Sequence, residues 1–256
     1  MISDATSRFS NRVEDYVKYR PGYPAGVVEA LRRQGALPDG AVVADVGSGT
    51  GIFSEMLLAT GCTVYGVEPN VAMRQAAERL LGKEPRFQSL EGTAEATNLP
   101  TGSVDLVAAA QAFHWFNPAA ARTEFRRVLR PGGWVALVWN HRRYDATAFL
   151  RDYEALLQDF GTDYREVRRQ ELDPARVRDF VGSDEVTRTT LDNSQRLDFG
   201  GLRGRLLSSS YAPAPGHPKH EPMLVRLEQI FSRHQQDGAV SLDYDTEVFC
   251  ARLADV

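Results

Sequence analysis

The chain predicts an α/β fold: a doubly wound, mostly parallel seven-stranded sheet with an N-terminal helical cap and a late helical insertion. Three observations predict it. Short apolar runs alternate with helical stretches from residue 42 to residue 139, the pattern of a sheet covered on both faces. The first run, Val42-Val43-Ala44-Asp45-Val46, enters a glycine-rich turn, Gly47-Ser48-Gly49-Thr50-Gly51, that opens a helix. After Asn140 helical periods dominate, broken by two β-rich stretches.

Residues 8–20 read as a helix that stops at Arg20-Pro21-Gly22-Tyr23-Pro24, where the prolines cannot continue it. A second helix, 25–35, closes on the turn Pro38-Asp39-Gly40. Strand 42–46, helix 51–60, strand 63–67, helix 70–81 and strand 86–90 follow, the first two strands short, apolar and rich in β-branched residues. An irregular stretch leads to strand 104–109, helix 118–129, the turn Arg130-Pro131-Gly132-Gly133 and strand 134–139. Helices are expected at 146–160, 164–171, 174–181, 200–208 and 221–235, with strands at 185–199 and 239–249; Pro213, Pro215 and Pro218 mark a loop. The organisation expected is a helical cap over 1–38, a nucleoside-binding core over 39–140, and a ligand-end cap over 141–256 that includes the closing strands of the same sheet. Strand 42–46 is the natural centre, and ligands belong at the carboxyl ends of strands near the switch point.

Composition bounds the function. With 43% hydrophobic and 25% charged residues, the chain can bury a real core. A net charge of −4 gives no field to draw in nucleic acid or an anionic membrane, so neither is expected as a partner. Cys62 and Cys250 show no metal or redox spacing, which argues for a reduced compartment and no metal. The N-terminus carries no secretion signal and no apolar run reaches the length of a membrane span, so a cytoplasmic protein is expected. Nothing in the pattern fixes an oligomeric state.

Gly47, Gly49 and Gly51 form G-x-G-x-G, but a dinucleotide-binding turn would place a further glycine at position 52, where this chain has Ile52. A larger residue holds the helix end back from the ligand, which suits a ligand with a carboxylate or small polar group in place of a pyrophosphate. Glu68 ends the next strand, the place from which an acid takes ribose hydroxyls; the alternative is a surface acid ending a strand.

These residues resemble the class I S-adenosylmethionine-dependent methyltransferases. Asp45 to Gly51 is similar to their first motif and Val64 to Glu68 to their second. Gly92-Thr93-Ala94-Glu95, Leu99-Pro100 and Ser103-Val104-Asp105-Leu106-Val107 resemble the acidic loop and fourth strand; Leu129 to Gly133 resembles the approach to the fifth. The flanks, Phe9 to Pro24 and Thr246 to Phe249, are similar to a small-molecule subgroup that includes trans-aconitate methyltransferase-like enzymes.

The resemblance implies a Rossmann-like sheet, S-adenosylmethionine as methyl donor with S-adenosylhomocysteine as product, no metal, and a small-molecule acceptor methylated on oxygen (a carboxylate among the candidates) or nitrogen. It implies that Gly47, Ser48 and Gly49 pass under the methionine part and that Glu68 takes the ribose hydroxyls. Pro69 and Met73 would line the adenine, although Met73 also reads as ordinary core. Many relatives have Asp where this chain has Thr93, so the adenine amino contact falls to the Ala94 amide or to Glu95, itself readable as a solvated acid. Gln111 would face the cofactor. Arg20, with Tyr16 or Tyr19 beside it, would pair with the methionine carboxylate, since its fork matches a carboxylate; the alternative is an arginine capping its own helix.

Acceptor-side candidates lie in Gln111-Ala112-Phe113-His114-Trp115-Phe116. His114 is the candidate catalytic base or hydrogen-bond donor, with a structural histidine as the alternative. Phe113, His114, Trp115, Trp139 and Tyr211 are candidates to bind the acceptor, and Asn140 ends the same strand as Trp139. His141-Arg142-Arg143 and Arg165 to Arg169 read as solvated faces. Two other functions remain compatible with the pattern: a nucleotide-dependent oxidoreductase on a similar sheet, and a non-catalytic module that binds a cofactor or partner.

Overall fold

The computed structural model describes residues 13–169 and 172–253. Phe9 and the start of the helix expected at 8–20 lie outside the described residues, as do residues 170 and 171 at the end of the helix expected at 164–171.

Strand β1 (Val42–Val46) shows why a sheet forms here: Val43 enters one apolar layer, and Ala44 and Val46 enter the other. Beside it lie β2 (Thr63–Val67), β3 (Phe87–Leu90) and β4 (Val104–Ala110), all parallel. Strand β5 (Leu129–Arg142) continues the parallel set against β4. Antiparallel β7 (Val240–Ala251) pairs with β5 on one side and β6 (Thr187–Leu197) on the other. The order is β3-β2-β1-β4-β5-β7-β6. The chain therefore reverses its direction of winding between β1 and β4, and that switch point opens a crevice at their carboxyl ends.

Helices cover both faces. Helices α1 (Val13–Tyr19) and α2 (Gly26–Arg33) precede the sheet; α3 (Ile52–Leu58) and α4 (Val71–Leu81) follow β1 and β2. Leu31 of α2, Phe53 and Leu57 of α3 and Leu81 of α4 pack on one face with Val43, Val64 and Leu106. On the other, Ala121, Phe125 and Val128 of α5 (Pro118–Val128) and Phe180 of α8 (Pro174–Val181) pack with Ala44, Val107 and Leu137. Asn70 and Asn117 cap α4 and α5, their side chains accepting from the Met73 and Ala120 amides.

The late helices form a third apolar cluster: α6 (Ala148–Phe160), α9 (Phe199–Leu207) and α10 (His220–His234) bury Leu150, Leu157, Leu202, Leu206, Met223 and Leu227 against Leu242 and Tyr244 of β7. They are not one insertion. The segment α6, α7 (Tyr164–Arg169) and α8 lies between β5 and β6, and α9 and α10 lie between β6 and β7. The sheet edge divides them because β6 must return to pair with β7 along its whole length, Leu197 opposite Val240 through Thr187 opposite Cys250. Strand β5 is also longer than the expected 134–139. Pairing with β7 carries it outward to Arg142, opposite Tyr244, and Leu129 pairs with Val104 across an irregularity that includes Gly132 at φ +76°.

Candidate active site

The turn after β1 is left-handed at three glycines: Gly47 at φ +72°, Gly49 at +58° and Gly51 at +89°. Close approach enforces two of them. A Cβ on Gly47 would stand 2.5 Å from the Ala112 Cβ, and one on Gly51 would stand 2.6 Å from the Leu81 side chain. Gly49 has open space instead, with nothing within 4 Å.

Glu68, at the end of β2, is buried and folds back on that turn. Its Oε2 accepts from the Gly49 amide at 2.9 Å and its Oε1 from the Asn70 amide at 2.8 Å. Burial raises its pKa, opposed by those two amides and by the Arg74 charge. Asp45 is also buried: its Oδ2 accepts from the Ser54 hydroxyl at 2.6 Å, while Oδ1 has no partner. Burial pushes its carboxyl up to about 7, with the Glu68 charge adding to the shift.

A cavity of about 390 Å³ runs across the carboxyl ends of the strands. On the β2 side Gly47, Gly49, Glu68, Pro69, Met73, Thr93, Ala94, Glu95 and Gln111 line it, and Tyr16 and Arg20 reach it from the N-terminal segment. Ser48 faces an adjoining space of about 50 Å³ that shares Tyr16, Arg20, Gly47 and Gln111 with the main cavity and adds Asp45 and Ile52. On the β5–β7 side the wall holds His114, Trp115, Trp139, Asn140, Arg142, Tyr144, Tyr153, Tyr164, Arg168, Arg205, Tyr211 and Tyr244.

Several side chains are already committed. The Thr93 hydroxyl accepts from the Glu95 and Ala96 amides of its own turn, and Glu95 Oε1 accepts from the Asn117 amide ahead of α5. Met73 lines the cavity and also packs with Val13 and Ala76. Gln111 sits at φ +58°, a left-handed position no sequence pattern announced, held by its side-chain Nε2 donating to the Asn140 carbonyl at 3.1 Å. Arg20 does not cap its own helix. Its Nη2 donates to the Ser208 carbonyl at 2.9 Å, its guanidinium lies over the Tyr16 ring at 4.6 Å, and its buried Nε has no partner. Tyr19 instead lies against α9, where a Cβ on Gly204 would strike its ring. The Gly22 carbonyl accepts from Asn140 and Asn193, which ties the N-terminal segment to β5 and β6.

Phe113 is misplaced by the sequence reading. It is 2% exposed and packs edge-on against Phe180 and Phe116 in the core instead of lining the cavity. The cause is a one-turn 3₁₀ helix, Phe113–Trp115, whose successive side chains diverge by about 120°. His114 stands edge-on to Trp139 at 5.1 Å. The solvated-face reading of Arg142 also fails: it pairs with Oε2 of Glu154 on α6 at 2.5 Å and its side chain is only 9% exposed. Arg168 pairs with Oε1 of the same Glu154 at 2.7 Å and stays 39% exposed. Arg205, Tyr153 and Tyr244 were missed. Arg205 left one signal, its place three residues after Leu202 on the buried face of α9. The tyrosines left none, because buried aromatics on an apolar stripe look like core.

Among the described residues no cluster of three or more metal-ligating side chains occurs, and no helix is long and apolar enough to cross a membrane. A family model described as a methyltransferase domain matches residues 44–137. An uncharacterised methyltransferase of Mycobacterium tuberculosis is 41% identical over 98% of both chains. Among solved structures, a putative type II methyltransferase from Anaeromyxobacter dehalogenans has a TM-score of 0.64 at 24% identity, covering 93% of this chain and 100% of its own. A putative methyltransferase from an antibiotic biosynthesis pathway of Anabaena variabilis has a TM-score of 0.61 at 21% identity, covering 90% and 98%. Full-length kinship of this kind decides against the oxidoreductase and the non-catalytic module. Together with the glycine turn, the buried Glu68 and the sheet order, it establishes that the chain belongs to the class I S-adenosylmethionine-dependent methyltransferases.

Proposed function

We propose that this methyltransferase methylates an oxygen or nitrogen of a small molecule held between the sheet and the late helices. The observation that carries the reading is the continuity of one cavity from Glu68 and Met73 to Trp139 and Tyr211, which gives donor and acceptor a shared space.

The residues suit the donor. Glu68 offers a buried carboxylate already oriented by two amides, fit to accept from ribose hydroxyls. Gly47, Ser48 and Gly49 form a floor without bulk for the methionine portion. The unpartnered Nε of Arg20 and Oδ1 of Asp45 match a carboxylate and an ammonium, the two charged ends of an amino acid, with Tyr16 stacked on Arg20. Pro69 and Met73 provide an apolar wall for adenine. The Ala94 amide, with Thr93 and Glu95 beside it, would meet its polar edge, and Gln111 would face the cofactor. When bound, S-adenosylmethionine supplies an activated methyl group: the acceptor lone pair bonds to the methyl carbon as the carbon–sulfur bond breaks and its electrons stay on sulfur. The chain's contribution is then alignment and exclusion of water, effects worth about 7–11 kcal/mol in well-oriented systems. His114 accepts the proton, or orients the acceptor, when the nucleophile carries one; a carboxylate nucleophile needs no base. Trp115, Trp139 and Tyr211 form the acceptor wall. In this reading residues 1–38 close over the donor, 39–140 bind it, and 141–256 select the acceptor, in the reduced cytoplasm where Cys62 and Cys250 stay free thiols.

Calorimetry with S-adenosylhomocysteine and with NAD, followed by turnover of S-adenosylmethionine against acids, phenols and amines, tests it. Binding of S-adenosylhomocysteine alone and turnover with small acceptors are expected. Turnover confined to macromolecular acceptors would overturn the small-molecule assignment.

A further inference from the structure

The β5–β7 side of the cavity carries more positive charge than the described residues balance: Arg142, Arg168 and Arg205 against the single carboxylate of Glu154. Arg205 is 9% exposed; its Nε donates to the Tyr244 hydroxyl at 3.4 Å and its Nη1 to the Ser209 hydroxyl at 3.0 Å. Both partners are neutral, and no carboxylate pairs with Arg205 among the described residues. Arg142 donates Nη2 to Glu154 and to the Tyr164 hydroxyl, but its Nη1 is buried without a partner. Arg168 draws on the same Glu154, so one carboxylate serves two guanidiniums. The lining carboxylates, Glu68 and Glu95, belong to the β2 side. A buried guanidinium without an anion is strongly destabilising, and an apolar residue on the same helix face would pack at no such cost. Two further donors face the same space: the hydroxyls of Tyr153 and Tyr211 make no hydrogen bond among the described residues, and both side chains line the cavity.

We propose that Arg142 and Arg205, with Tyr153 and Tyr211, form an anchoring subsite for an oxyanion, carboxylate or phosphate, carried by the methyl acceptor. The inference rests on the reading of this cavity as the acceptor site and names the acceptor's class. The anion is a handle and not the nucleophile, because an oxygen held by a guanidinium has its lone pairs engaged and its basicity lowered. The acceptor is therefore at least bifunctional: an acid that carries a second group, such as another carboxylate, a hydroxyl or an amine, to receive the methyl.

The test is calorimetric titration of the full chain saturated with S-adenosylhomocysteine. The probes are citrate, 4-hydroxyphenylacetate and phenyl phosphate, with trimethyl citrate, 4-hydroxyphenylacetamide and phenol as uncharged counterparts. At least one anion is expected to bind about tenfold or more tightly than its counterpart, the scale of a hydrogen bond to a charged group. Arg205→Gln and Arg142→Gln should each remove most of that preference, and Arg205→Lys should restore part of it, with S-adenosylhomocysteine affinity within about twofold of wild type throughout. The carboxylate and phosphate arms report which oxyanion the site takes. The proposal is overturned if no anion binds, if uncharged probes bind as well, if the variants leave the preference intact, or if Arg205→Gln instead weakens S-adenosylhomocysteine, which would assign Arg205 to the donor. Failure of wild type to bind S-adenosylhomocysteine would overturn the donor-site reading instead, a separate result.

Discussion

The Gly49 amide donates to Glu68 Oε2 at 2.9 Å, joining the turn after β1 to the end of β2. The bond holds the carboxylate in place before any ligand arrives, and it does so with a residue whose own side would otherwise be empty space. Glu68→Ala is therefore expected to weaken S-adenosylhomocysteine binding by about 1–3 kcal/mol, the cost of losing hydrogen bonds to a charged group. Isothermal titration of the folded variant measures it. An unchanged affinity would reject the ribose assignment.

Arg20 and Glu68 are assigned to opposite ends of the donor, so their variants should separate on a truncated ligand. Arg20→Gln should weaken S-adenosylhomocysteine about tenfold or more and leave 5′-methylthioadenosine, which lacks the amino-acid portion, within about twofold. Glu68→Ala should weaken both. Competition binding with the two ligands gives the comparison, and an Arg20 variant that loses both equally would show that the arginine only holds the N-terminal segment through Ser208.

The fold and the two segments assigned to the donor were legible for the same physical reason. A parallel strand buried on both faces writes a continuous apolar run, and a turn with positive φ writes glycine, so Val42 to Gly51 and Val64 to Glu68 announce their geometry locally. Phe113 was misjudged because nothing local distinguishes a 3₁₀ turn from a loop. The β5–β7 wall was largely illegible: Arg142 looked solvated because its partner, Glu154, is on a helix twelve residues away whose docking no periodicity predicts. Tyr153 and Tyr244 gave no local signal because they are core on one side and cavity wall on the other.

Asp45 sets a pH dependence. Its carboxyl titrates near 3.8 in an unfolded chain and at about 7 in the folded one. Between those values the folded chain keeps a proton that the unfolded chain has released, so this contribution to stability falls as pH rises through the window and is gone above it. The loss has an upper bound of about 4 kcal/mol, at about 1.4 kcal/mol per unit. Urea unfolding of wild type and Asp45→Asn at pH 5 and pH 8 should show wild type losing ground to the variant at the higher pH. Parallel profiles would mean that Asp45 does not titrate there. The same shift predicts that binding the ligand's ammonium releases a proton near pH 7, seen as a buffer-dependent binding enthalpy.

Gly47 and Gly49 should respond differently to alanine. Both have positive φ, which costs about 1–2 kcal/mol for a residue with a side chain. Gly47→Ala adds a clash with Ala112 at 2.5 Å, so the apo protein should lose about 2–4 kcal/mol of stability. Gly49→Ala meets no protein atom, so its stability cost should stay near the lower figure while its cost in S-adenosylhomocysteine affinity exceeds that at another positive-φ glycine with open space around it, Gly216. Denaturant unfolding and calorimetry on the three variants give the ordering; equal affinity losses at Gly49 and Gly216 would remove Gly49 from the donor site.

Glu154 is the remaining anchor. Its carboxylate accepts from Arg142, Tyr164, Arg168 and Gln158, its side chain is 9% exposed, and among the described residues it is the acid that pairs with Arg142. An exposed ion pair of this kind would contribute about 0–1 kcal/mol. Here removal strands a buried guanidinium over the Tyr144 and Tyr153 rings, and Glu154→Ala should cost about 3–5 kcal/mol by urea unfolding. Glu154→Gln keeps the acceptor oxygen and the shape but not the charge, so a loss close to that of alanine would show that charge compensation dominates, and a loss under about 1 kcal/mol would show that the hydrogen bonds do. The double variant Glu154→Gln with Arg142→Gln discriminates further. If the stranded charge is the cost, removing it should recover most of the stability, because two neutral amides can hydrogen-bond across the same gap and the cavity wall no longer holds an unpaired ion.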